Sequence, residues 1–366
     1  MRHRVLTILT TAMLTGGLTA TAQTATGRFA AGAGGEGAVY HLPRTNIRVD
    51  VLVEKTSYRP GRFCRYAERY LRLHNVEQDE QTTWRVLQIK QTVMAEPDTA
   101  KAYQLRFSPN SATANLRLSD SGLLLAINDQ PLSMPQQKPF KAAKRQPTPD
   151  AQQYLSQDIL LAGSTAKMAE LTAEEIFDVR ENKALLVKGQ ADFMPKDGRQ
   201  LELMLEELDR ENQALTALFS GITEHDTTQV SFVISPQRPI ARQVLFRFSE
   251  KLGVVDNDDL GGRPFYITVS DITQQPKATP QQLARAKKQR PVENGVYVNV
   301  PGQMRSIIED GIQPVDQQTL PAPQFGSVEL LSGALFNKKF TTRLRLNPIT
   351  GAIDRLQAEQ PQQNKK

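Results

Sequence analysis

The sequence predicts an α+β fold: two β-rich domains with an α-helical hairpin between them, packed on the second. Three observations carry that prediction. Apolar and polar residues alternate in short runs over 39–130 and again over 223–357, the period of half-buried strands. Between these regions, apolar residues fall three and four apart, the spacing that builds one helical stripe. Grouping strands, then helices, then strands again differs from a parallel doubly wound sheet, in which the two types alternate along the chain.

The chain opens on residues 1–22, which have the composition of a cleavable secretory signal peptide. Arg2 and Arg4 supply the basic start, and Val5, Leu6, Ile8, Leu9, Met13, Leu14 and Leu18 the apolar segment. Ala20-Thr21-Ala22 is a small-x-small cleavage site that leaves Gln23 as the new N-terminus. The segment is too short and too rich in Thr and Gly for a retained membrane helix, which needs about 20 mostly apolar residues. The only cysteine, Cys64, lies far from the cut, so no lipid anchor is expected there. Residues 23–38 read as a flexible tail.

In the first β-rich domain, 39–130, the clearest strand is Ile47 to Glu54. Pro60-Gly61 then turns the chain into a short helix over Arg65 to Leu73. Further strands are expected at 84–93, 103–107, 115–118 and 123–128. Residues 131–155, rich in Pro, Gln and Lys, read as a linker. The helical hairpin occupies 156–222. Its first helix runs from about Thr165 to Val187, with Thr172 and Glu175 at capping-box spacing, marking a start or a break. The second follows Asp197 and carries Leu201, Met204, Leu205, Leu208, Leu215, Leu218 and Phe219 to a stop at Gly221. The second β-rich domain, 223–357, has strands expected at 230–235, 243–248, 265–269, 295–300, 326–331, 340–346 and 352–356. Asn347 to Gly351 forms the last turn, and 358–366 a disordered tail.

Without the leader the chain has about 340 residues, room for two domains of about 150 each. Its formal charge of +6 becomes +4 once Arg2 and Arg4 leave. A lone cysteine excludes an intramolecular disulfide, and Cys64 is expected to serve as a small buried apolar side chain. The basic stretches Lys138 to Arg145 and Arg285 to Arg290 are flanked by Pro and Gln and read as solvated loops, not as a rigid surface with stacking aromatics, so no nucleic-acid partner is implied. No later segment is long and apolar enough to span a membrane.

Several strings imitate functional motifs and fail on context. Gly32 to Gly37 matches the dinucleotide pattern, but no strand leads in and no helix leaves. Asp256-Asn257-Asp258-Asp259-Leu260-Gly261 starts like a calcium loop, yet Leu260 and Ile267 occupy ligand positions, so a polar turn is expected. His41, His74 and His225 show no metal-ligand spacing. Ser220, His225 and Asp226 lie close in sequence, but no nucleophile elbow accompanies them. Glu206-Glu207 reads as a solvated helix face. No catalytic, metal or cofactor-binding residue is therefore assigned, and no cofactor. The aromatics Tyr58, Tyr66, Tyr70 and Trp84 remain as candidate binding residues for glycan or peptide, against the alternative of core packing.

Val53-Glu54-Lys55-Thr56 through Pro60-Gly61, then Tyr66 to Leu71 and Trp84, form the first part of a wider pattern. Ile176 to Arg180, Met194 to Gly198, Arg247-Phe248-Ser249, Gln324-Phe325-Gly326 and Asn347 to Ile353 complete it. Together they resemble an uncharacterised family of exported Bacteroidetes proteins, the domain-of-unknown-function family 4831. The resemblance implies a Gram-negative envelope location, periplasmic or at the outer membrane, and no catalytic residues. The expectation that follows is an exported envelope protein with a structural or binding role and an envelope protein or glycan as partner. A periplasmic hydrolase is the competing reading.

Overall fold

The computed structural model describes residues 38–105, 115–135, 140, 149–274, 295–336 and 341–359. The leader with Ala20, Ala22 and Gln23, the Gly32–Gly37 pattern, both basic stretches and the C-terminal tail from 360 lie outside the described residues.

The described chain is mostly β, with three antiparallel sheets and a helical hairpin. Strand β1 (Ala38–Arg59) is the middle of the first sheet, between β2 (Gln81–Leu105) and β5 (Ile222–Ile234). The second sheet runs in the order β10 (Pro314–Ser332), β9 (Gly295–Glu309), β8 (Arg263–Asp271), β6 (Ile240–Ser249) and β7 (Gly253–Val255). The third holds β12 (Ile353–Glu359), β11 (Thr341–Leu346), β4 (Leu124–Ile127) and β3 (Leu116–Leu118).

Alternation along β1 decides what each face meets. Ile47, Val49, Val51 and Val53 pack against Leu245, Phe246, Phe265, Ile267, Met304 and Ile308 of the second sheet, forming one sandwich core. Nearer its start, β1 sends Tyr40 and Leu42 into a second core with Tyr103, Leu105, Leu124, Ile127, Val296, Val298, Leu344 and Leu346. Buried side chains stitch these distant segments. Asn299 Nδ2 donates to the carbonyls of Pro43 and Thr350, both at 2.9 Å, and Gln324 Nε2 donates to Thr45 O at 2.9 Å while its Oε1 accepts from Thr45 N at 3.1 Å.

The expected boundary at 131–155 therefore does not separate two strand systems. Strands before and after it pair directly, β1 with β5 and β4 with β11. Period-2 alternation reports that a strand is half-buried; it carries no record of which strand lies beside it.

The helices are α1 (Ala67–Leu71), α2 (Gln157–Leu161), α3 (Thr165–Lys188) and α4 (Gly198–Ser220). Ser164 caps α3, its side chain accepting from Lys167 N. Thr172 instead lies buried inside α3, its hydroxyl donating to Met168 O at 2.8 Å, so the capping-box spacing at 172–175 marks neither a start nor a break. Asp197 caps α4, and Gly221 ends it as expected.

The hairpin's packing partner also differs from the expectation. It meets the chain that leaves β1, not the second β-rich region: Phe63 and Ala67 share a core with Ile159, Met168, Ala169, Ile176, Leu215 and Phe219. The Pro60-Gly61 turn is responsible. It throws the chain across the end of α4, where Phe63 N donates to Leu218 O at 2.7 Å. No helix among the described residues is long and apolar enough to cross a membrane.

Candidate functional site

The structure does not bring the four candidate aromatics together. Tyr58 ends β1, and its hydroxyl lies 2.8 Å from Glu77 O and 3.1 Å from Ser220 O. Burial, with Cys64 and Glu77 close by, raises its pKa above the ordinary phenol value. Tyr66 and Tyr70, with ring centroids 6.2 Å apart, are half-buried against the helical core, Arg69 lying over the Tyr70 ring at 5.2 Å. Trp84 packs instead on the first sandwich core, so close to Gly253 that an added Cβ there would sit 3.0 Å from the indole. Cys64 is free and half-buried beside Tyr66.

Other sequence candidates are similarly dispersed. Ser220 Oγ donates to backbone carbonyls at Thr216 and Gly221. His225 and Asp226 are neighbours in β5 and so turn to opposite faces of the sheet. His225 Nδ1 lies 3.2 Å from Thr56 Oγ1, whereas Asp226 lines a small polar cleft of about 290 Å³ with Lys55, Arg59, Glu80 and Glu224. Asp256 to Gly262 forms the expected polar turn, with Asp259 N donating to Asp256 O and Gly261 N to Asp259 Oδ1. Among the described residues no three His, Cys, Asp or Glu side chains converge as metal ligands.

Away from the sandwich core, the first sheet carries charge. Asp50 Oδ1 accepts from Ser231 Oγ at 2.5 Å and from Arg48 Nε at 2.8 Å. Burial works to raise the Asp50 pKa, but hydrogen bonds from Ser231, Arg48 and Gln229 together hold it below the usual carboxylate value. A lowered native pKa means the unfolded chain binds the proton more readily. The stabilisation is present above the unfolded pKa of about 4 and is lost as pH falls through the native value. Asp50→Asn is expected to lower stability at pH 7 and to flatten the loss of stability below about pH 4. Denaturant midpoints between pH 2 and 7 measure this; parallel acid limbs in the two proteins would contradict it.

A wider recess than the Asp226 cleft lies on the other side of β1. A cavity of about 680 Å³ is lined by Lys90, Gln91, Thr92, Val93, Met94 and Ala95 of β2, by Met134 and Pro135, by Leu320 of β10 and by Ile349 in the turn before β12. Consecutive strand residues point to alternate faces. A recess touched by six in a row therefore runs along the strand's edge, and β2 is the outermost strand of its sheet. Gln91 ties that edge to the second sheet: its Nε2 donates to Asp316 Oδ2 at 3.0 Å and its Oε1 accepts from Ser306 Oγ at 2.5 Å. The Thr92 hydroxyl is buried without a hydrogen-bond partner, and Lys90 is the single ionisable side chain in the lining. Sequence reading identifies 84–93 as a strand but misses the cavity, because its walls come from segments up to about 260 residues apart that no local period links.

A family model described as a domain of unknown function (DUF4831) matches residues 36–354. No curated protein and no solved structure matches the chain.

Proposed function

We propose, from the premise that the chain belongs to the DUF4831 family, that it is an exported cell-envelope protein acting by binding, with the cavity beside β2 as its site. The cavity carries the reading. Its volume of about 680 Å³ falls among ligand sites, which span roughly 300–1,000 Å³. Its walls are chiefly apolar, from Val93, Met94, Met134, Pro135, Leu320 and Ile349, with the unpartnered Thr92 hydroxyl as a point of orientation. Export is supported by the basic and apolar leader ending at Ala20-Thr21-Ala22.

The test uses protein recovered from the envelope fraction of its native cells, where mass spectrometry should show a chain beginning at Gln23. The apolar dye 1-anilinonaphthalene-8-sulfonate should bind it saturably at one site. Ile349→Trp, which puts an indole into the recess from a turn, should weaken that binding at least tenfold without lowering the melting temperature by more than a few degrees. Met94→Trp serves as a second filler, from β2. Dye binding unchanged in both folded variants would refute the site, and a chain retaining Met1 in the cytoplasm would refute the address.

A further inference from the structure

The geometry points to a specific class of occupant: we propose that the cavity receives an extended polypeptide segment, which adds as a strand to the outer edge of β2. The proposal rests on the cavity being the binding site and deepens that reading.

A strand paired on one side turns the N–H and C=O of alternate residues away from its partner. Between Lys90 and Ala95, β2 pairs only with β1, so its outward groups face the recess. Six residues of strand span about 20 Å, the length of a comparable added strand. The open window has ends. On one side, Trp84 N is already committed to Glu250 O at 2.7 Å. On the other stands Pro97, which has no N–H to offer and so limits further pairing.

The alternative occupants fit less well. A hydrocarbon chain or compact aromatic would fill the apolar walls but bury the outward amides and the Thr92 hydroxyl without partners, and an unmet buried polar group costs about 1–3 kcal/mol. An added peptide strand meets them with its own main chain, while apolar side chains at alternate positions take the walls formed by Met134, Leu320 and Ile349. Exposed edge strands are usually guarded by charge, proline or a covering element. Here the window carries one charge, Lys90, which has no salt-bridge partner among the described residues within its own lining. A segment with alternating apolar residues and a carboxylate placed beside Lys90 is the complementary partner.

The experiment is fluorescence polarisation on the full mature chain, with a fluorescein-labelled octapeptide of alternating valine and threonine containing one glutamate. Its comparison is a peptide with the same side chains, N-methylated throughout the backbone. The plain peptide should bind and displace the naphthalene dye. The N-methylated one should bind at least tenfold more weakly, because it cannot form the ladder. Lys90→Gln should weaken the plain peptide several-fold, and Ile349→Trp should abolish binding. Equal binding of the two peptides would overturn strand addition while leaving the cavity as a binding site. Dye binding that neither peptide displaces at millimolar concentration would overturn it too, whereas loss of dye binding as well would take the underlying site assignment with it.

Discussion

Gly221→Ala is expected to cost about 4 kcal/mol and to leave little folded protein at 37 °C. Gly221 joins α4 to β5 with φ +78° and ψ −179°, a backbone region open essentially to glycine alone. Space is as restrictive as torsion. A Cβ at this position would lie 2.5 Å from Arg59 O and 2.6 Å from both Cε2 and the hydroxyl of Tyr58. None of these can retreat easily, since Arg59 pairs with Ile222 in the sheet and the Tyr58 hydroxyl sits between two backbone carbonyls. Gly189→Ala is the control. It also has positive φ, +69°, at the end of α3, but nothing lies within 4 Å of its added Cβ, so about 1 kcal/mol is expected. Urea denaturation of both variants decides the matter: equal losses would show that the junction tolerates a side chain and that the close approach has no energetic weight.

Phe246→Ala should be comparably severe, at about 4 kcal/mol. Phe246 is fully buried and stacks on both sides, with Phe232 at 5.2 Å and 7° and with Phe265 at 4.5 Å and 11°. Phe232 belongs to the first sheet while Phe246 and Phe265 belong to the second, so the middle ring is the bridge between the layers. Removing it loses transfer free energy and leaves a cavity that two flat, sheet-bound neighbours are poorly placed to close. Phe246→Leu should recover more than half of the loss by refilling most of the volume. If the alanine variant unfolds within about 1 kcal/mol of the parent, the two sheets are not held together through this stack.

What the sequence reveals here follows from how local each signal is. α4 is legible almost to the residue, because Asp197, the apolar stripe and Gly221 all act within a few turns. The Asn347 turn is equally local: Asn347 Oδ1 accepts from the amides of Ile349 and Thr350. β1 is legible only over Ile47 to Glu54. Its flanks contain Pro43, Thr45 and Asn46, which look like loop residues until distant partners such as Asn299, Gln324 and Glu96 meet them. The short strand β7, next to the Asp256 turn, is too brief to show a period. The aromatics Tyr58 to Trp84 suggest one surface from their spacing, but the excursion through α1 between β1 and β2 sends them to different places. The cavity beside β2 is non-local: the strand and the Asn347 turn that contribute to its walls could each be anticipated, but not their meeting.

The central position of β1 has a consequence for the order in which the protein can assemble. Tyr40 bonds to Tyr297 across 257 residues, and Thr45 to Gln324 across 279. Local contacts cannot complete either of these two cores, because the first strand to be made waits for nearly the last ones. Such topology closes large loops before it gains their contacts and folds slowly for that reason. Until β5 and β9 arrive, β1 has one edge unpaired and an uncovered apolar face, the state in which chains most readily join one another instead of themselves. A helical hairpin that can form locally between β1 and β5 shortens that interval by bringing the end of β1 to the start of β5, where Arg59 meets Ile222.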